Sequence, residues 1–204
     1  MLFGNELYFL ELLDFTNFNL KEKVSKKKMN KEVIKSMREA IKKDDLNLVK
    51  ELLKTNDDLL DIDTPFGSWL HVAADYGKIE IAKYLIYAGI DVNRKGGISG
   101  GNPIRSAARH GYLDMIDLLY QSGTKLEVCA ATQNPLFGAI CNGHYEVAKF
   151  LIDKGIDITA SYSIGKLENV DAYEYARQFG QLEIADYIKE KLFDKTSNSS
   201  SNIR

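Results

Sequence analysis

Residues 69–93 read WLHVAADYGKIEIAKYLIYAGIDVN. A first short segment ends at Gly77, and in the segment that follows Ile79, Ile81, Ala82, Leu85 and Ile86 recur at helical spacing. This predicts a helix, a tight stop and a second helix. Gly77 suits a left-handed cap, where any Cβ is penalised by about 1 kcal/mol. Gly89 closes the second helix, and the stretch after it leads into an extended turn. The pattern returns as PIRSAARHGYLDMIDLLYQSGTKLE from Pro103, as PLFGAICNGHYEVAKFLIDKGIDIT from Pro135, and more weakly as AYEYARQFGQLEIADYIKEKL from Ala172. Ala40, Ala73, Ala107, Ala139 and Ala176 stand at intervals of 33, 34, 32 and 37 residues, and Gly77, Gly111, Gly143 and Gly180 keep the last three intervals. Pro103 and Pro135 fall where a first helical turn loses no amide partner.

A period of about 33 residues around a T-P-L-H-x-A core is the mark of ankyrin repeats. Here the core reads SWLHVA from Ser68, and the chain resembles the ankyrin-repeat family over roughly residues 32–193. The resemblance implies an all-α solenoid of about five helix-turn-helix units, near 32–62, 63–96, 97–128, 129–160 and 161–193. Extended finger turns would border a concave groove. No unit can bury its apolar face alone, so stacking must supply the stability, with polar capping units at the ends. Asp44 replaces the stop glycine in the first unit, and Lys35, Lys42, Lys43 and Asp45 offer it charge. Glu174, Arg177, Glu183, Asp186 and Lys189 do the same for the last.

The flanks read differently. Residues 194–204, rich in Ser and Asn, are expected to be a disordered tail. Residues 1–31 form an N-terminal extension with two readings: Leu7, Phe9, Leu10 and Leu13 make a helical face that docks on the first repeat, or Met29 is the true start.

At 204 residues with 45% hydrophobic and 27% charged side chains, the composition is that of a soluble globular protein. Glu6, Glu11 and Asp14 interrupt the Leu- and Phe-rich start, which therefore fails as a signal peptide. A cytoplasmic monomer with no membrane association is expected. A net charge of -2 predicts no global attraction to nucleic acid. Lys21, Lys23, Lys26, Lys27, Lys28, Lys31 and Lys35 make a basic arm without interleaved aromatics, so no nucleic-acid partner is expected.

Chemistry finds little support. Gly97-Ile98-Ser99-Gly100-Gly101 matches the G-x-S-x-G of hydrolases, yet it sits in a finger without the preceding strand and following helix that present such a serine. A Ser99 hydrolase is the reading from another class, and a non-enzymatic protein is preferred. Ser163-Ile164-Gly165-Lys166 lacks the upstream glycine of a phosphate loop. Cys129 and Cys141 lack metal or redox spacing, so no metal and no cofactor is expected. His71 occupies the family's T-P-L-H histidine, which ties neighbouring turns; His144 is read as structural and His110 stays open.

Because ankyrin-repeat proteins are binding scaffolds, the resemblance implies a partner protein held by the groove. Positions just before each stop glycine would face it: Asp75 and Tyr76, Arg109 and His110, Cys141 and Asn142, Gln178 and Phe179. Finger positions add Phe66, Arg94, Lys95, Ile98, Gln133 and Tyr162. Aromatic and Arg side chains of this kind serve as interface anchors. Two departures matter. Trp69 stands where the family has Pro, either packed or at the groove rim. The 37-residue interval implies a long finger, ASYSIGKLENVD, able to reach over the groove. A few-repeat chain of this build looks like the small bacterial ankyrin proteins encoded beside toxins, which act as immunity or inhibitor proteins. A secreted host-directed effector or a regulatory adaptor is the alternative.

Overall fold

The computed structural model describes residues 31–201. The basic arm from Lys21 to Lys28 and the proposed docking helix of the N-terminal extension lie outside the described residues. Five helix pairs stack along the chain: α1 (31–42) with α2 (Leu46–Thr55), α3 (Trp69–Asp75) with α4 (Ile79–Tyr87), α5 (Pro103–His110) with α6 (Leu113–Gln121), α7 (Pro135–Cys141) with α8 (Tyr145–Asp153), and α9 (Ala172–Gln178) with α10 (Leu182–Ser201). The inner helices α3, α5, α7 and α9 pack in one row, and the outer helices α2, α4, α6, α8 and α10 in a second.

The repeated alanines explain the inner row. Ala73, Ala107, Ala139 and Ala176 are completely buried. A methyl at the contact point lets neighbouring helices approach closely, and a larger side chain there would have to displace a packed core. Ile81, Leu85, Met115, Ile116, Leu119, Val147 and Leu151 fill the space between inner and outer rows.

The stops are left-handed as expected, from Gly77 through Gly180. Asp44 takes the same conformation without being glycine, at φ 64°. Aspartate tolerates this region better than most residues, and here Lys78 of the next unit lies 3.6 Å from its carboxylate. At Gly111 the conformation alone does not decide the residue: a Cβ there would stand 2.6 Å from Nδ1 of His144. The same stacking recurs, with Tyr112 over Gly77 and Gln181 over Gly143. The residue after each stop thus roofs the stop of the unit before it.

Two features depart from the sequence reading and a third decides between its alternatives. The long finger is not merely extended: β1 (Tyr162–Ile164) pairs antiparallel with β2 (Leu167–Val170), so the all-helical solenoid carries one small hairpin. Its tight turn falls on Gly165-Lys166, with Gly165 at φ 62°, which suits a two-residue connection. The last helix runs through Ser201, into the segment expected as tail. No proline or glycine interrupts it, and adding a residue to an existing helix costs far less than starting one. Of the two readings for Trp69 the packed one holds: it is fully buried, and its indole N–H donates to Leu59 O at 2.6 Å.

Candidate functional site

Fingers and inner helices meet at an open cavity of about 330 Å³ between the second and third units. Phe66, Gly97, Ile98 and Ser99 line it from the fingers, and Asp75, Arg105, Ser106 and Arg109 from the inner helices. Its geometry begins with His71. Nδ1 accepts from the Ser68 amide at 3.1 Å, completing a capping box on α3, and Nε2 donates to Gly101 O at 2.9 Å in the next finger. Both ring nitrogens are engaged, so His71 holds two turns together, as the family position implies. Burial pushes its pKa down, which keeps the ring neutral. With both nitrogens engaged, this histidine is not placed to serve as a base for Ser99, although both residues line the cavity.

Beside it, Arg109 Nη2 lies 3.5 Å from Asp75 Oδ1 and donates to His110 Nε2 at 3.0 Å. An Nε2 that accepts belongs to a neutral ring. His110 accordingly sits below its ordinary pKa, from burial first and the Arg109 charge second. Its ring stacks on Tyr112, with centroids 5.7 Å apart. Arg105 donates through Nε to Thr132 O at 2.8 Å, and no ion pair among the described residues engages it. Sequence reading passed over Arg105 because it stands four residues before the positions assigned to the groove. Helical periodicity places it one turn below Arg109 on the same face, and that was the available signal.

The remaining candidates divide. Ile98 is 94% exposed and Phe66 only partly so, with the Arg38 guanidinium 4.0 Å over the Phe66 ring. Phe179 is half exposed, its ring tilted against Tyr175 at 4.5 Å. Tyr76 is half-buried against the core. Asn142 and Gln178 are exposed but make short-range bonds, to Gly138 O and to Glu174. Cys141 is half-buried at the end of α7, its thiol 3.4 Å from Gly138 O, while Cys129 is exposed. Gln133 lies against Gly100.

Three finger residues turn inward to neighbouring units. Arg94 pairs with Asp63 at 2.9 Å and donates to Asp61 O at 2.7 Å. Lys95 pairs with Glu127 at 2.6 Å, which raises its pKa. Tyr162 donates to Val128 O at 2.6 Å and accepts from Asn134, with its ring edge-on to Phe137. These side chains tie units together, which is a sufficient reason for their chemistry. Among the described residues there is no cluster of His, Cys, Asp and Glu suited to a metal, and no helix long and apolar enough to cross a membrane.

The chain matches the family model described as ankyrin repeats (3 copies) in overlapping windows over residues 11–96, 70–162 and 106–199. It is 34% identical over 119 residues to alpha-latrocrustotoxin-Lt1a of Latrodectus tredecimguttatus, covering 56% of this chain and 8% of that protein. A putative ankyrin repeat protein of Rickettsia felis is 30% identical, covering 58% of this chain and 51% of its own length. Cyclin-dependent kinase 4 inhibitor B of Mus musculus is 32% identical over 76 residues, 37% of this chain and 58% of that protein. The matches thus span little more than half of these relatives at most. With its stacked helix pairs, left-handed stops and histidine-tethered fingers, the chain belongs to the ankyrin-repeat family, whose repeats generally mediate protein–protein interaction and are typically not enzymes.

Proposed function

We propose that this chain is a non-enzymatic module that binds one partner protein across its concave groove and fingers, acting as a monomer that occludes or tethers it. One observation carries the reading: apolar finger residues and charged inner-helix residues converge on the same open cavity, with Ile98 94% exposed at its edge. An isoleucine so placed gains little until another surface buries it. Within this reading we assign an inhibitor or immunity protein of a toxin. The hairpin of the last finger supports that finer assignment, as does the name of one relative, a kinase inhibitor.

The test starts from a partner identified by affinity purification and mass spectrometry. Replacing Ile98, Arg109 and Phe179 together with Ala is expected to weaken its binding by about 2 kcal/mol or more, as for true anchors. Unchanged affinity with an intact circular dichroism melt would show that the partner uses another face. Saturating the purified partner with the chain then reads its activity: a partner that stays fully active is tethered, not inhibited.

A further inference from the structure

The cavity between the second and third units has a net positive lining. Arg105 and Arg109 contribute two positive charges and Asp75 one negative charge, which leaves one positive charge. The lining histidine, His71, has both nitrogens engaged by Ser68 and Gly101, and His110 beside the cavity is held between Arg109 and Asp75. Other cations near the fingers are engaged elsewhere, Arg94 with Asp63, Lys95 with Glu127, and Arg38 over the face of the Phe66 ring. Asp75 is likewise held by Arg109. What remains is Arg105, half-buried, anchored by Nε to Thr132 O with no carboxylate partner among the described residues. A guanidinium partly withdrawn from water without a carboxylate partner is less well compensated than a paired one, and its planar fork suits a carboxylate in two parallel bonds. The rim above it is apolar, formed by Phe66 and the exposed Ile98.

We propose that this cavity receives an acidic side chain of the partner, an Asp or Glu flanked by an apolar residue, with Arg105 binding the carboxylate and Phe66 and Ile98 covering the neighbour. Among the residues lining the cavity one positive charge is left over, which matches a monoanion. A phosphate would bring a second negative charge against Asp75. This inference rests on the groove-binding reading and names the chemistry of the ligand at one point of it.

A randomised twelve-residue peptide library displayed on phage and panned against the full chain tests it. Enriched sequences are expected to share an Asp or Glu next to Leu, Ile, Phe or Tyr. A synthetic peptide of the best sequence should bind Arg105→Gln about tenfold or more weakly than the wild type, and Arg105→Lys should recover part of the loss. Exchanging the peptide's acid for its amide should weaken wild-type binding similarly but leave Arg105→Gln unaffected, a coupling that a mere loss of packing would not produce. Peptides that compete with the partner yet ignore Arg105 would overturn this inference while leaving groove binding intact; enrichment of none would count against both. A phosphoserine peptide binding more tightly than its Glu counterpart overturns the carboxylate assignment. Arg105-dependent binding of a peptide comprising residues 1–20, itself acidic and apolar, would move the occupant to this chain and overturn the partner assignment.

Discussion

Two fingers of the same solenoid are held by opposite means. Between the second and third units, residues 94–101 are laced to their neighbours by charge and hydrogen bonds: Arg94 to Asp63, Lys95 to Glu127, and His71 to the Gly101 carbonyl. The last finger, three residues longer by the repeat interval, is folded on itself as a hairpin and fastened by aromatic packing. Tyr162 stands edge-on to Phe137 at 5.1 Å, and Phe137 stacks on Tyr175 at 4.2 Å. Polar lacing leaves space between fingers and an open cavity. At the other end aromatic rings pack against one another instead. The groove consequently carries an open, cationic cavity toward its first half and a cluster of packed rings toward its second.

The largest expected effect lies at the packed end. Phe137 is 2% exposed and touches both other rings, so Phe137→Ala should destabilise the protein by about 3–5 kcal/mol in urea unfolding. A cost below about 1 kcal/mol would mean that the hairpin is held by its own pairing instead.

At the laced end, His71→Ala removes half of a capping box and one inter-finger bond. About 2 kcal/mol at pH 7.5 is expected. This site also sets a pH dependence. The folded-state pKa of His71 lies below its ordinary value, so on acidification the unfolded chain binds a proton first. Stability is full above about pH 6.5 and falls as pH drops through the unfolded value toward the folded one. His110 is shifted in the same direction. Melting temperatures measured from pH 7.5 to 5.5 should therefore decline in the wild type, and less steeply in His71→Ala; parallel curves would locate the proton uptake elsewhere.

Arg94→Ala should have the smallest effect, about 1 kcal/mol, because its partners Asp61 and Asp63 are solvent-exposed. Its ion-pair share should vanish in 1 M NaCl, where charges are screened within about 3 Å. A difference undiminished by salt would assign the whole contribution to the bond with Asp61 O.

Which parts were legible follows from the range of the interactions. The period of Ala40, Ala73 and Ala107 exposes the stacked architecture because a close helix contact admits few residue types. Asp44 could be placed at a stop for the same reason. The ties between units were hidden in the sequence, since each joins residues far apart along it. Yet their separations are regular: Tyr162 bonds 34 residues back to Val128, Tyr187 bonds Asp153 over the same distance, and His144 reaches Arg109 over 35. Searching one period away for complementary groups would have found Arg94 with Asp61 and moved Arg94, Lys95 and Tyr162 from the surface candidates to the ties. The hairpin was harder to foresee, because β-branched and aromatic residues around Gly165-Lys166 pair only once the adjoining units fix the two ends.

The chain contains a single tryptophan, and its indole is roofed by the first unit through the carbonyl of Leu59. Ultraviolet emission from this protein is thus a local gauge. It registers detachment of the opening helix pair, whereas peeling of the hairpin end would pass without a change of colour.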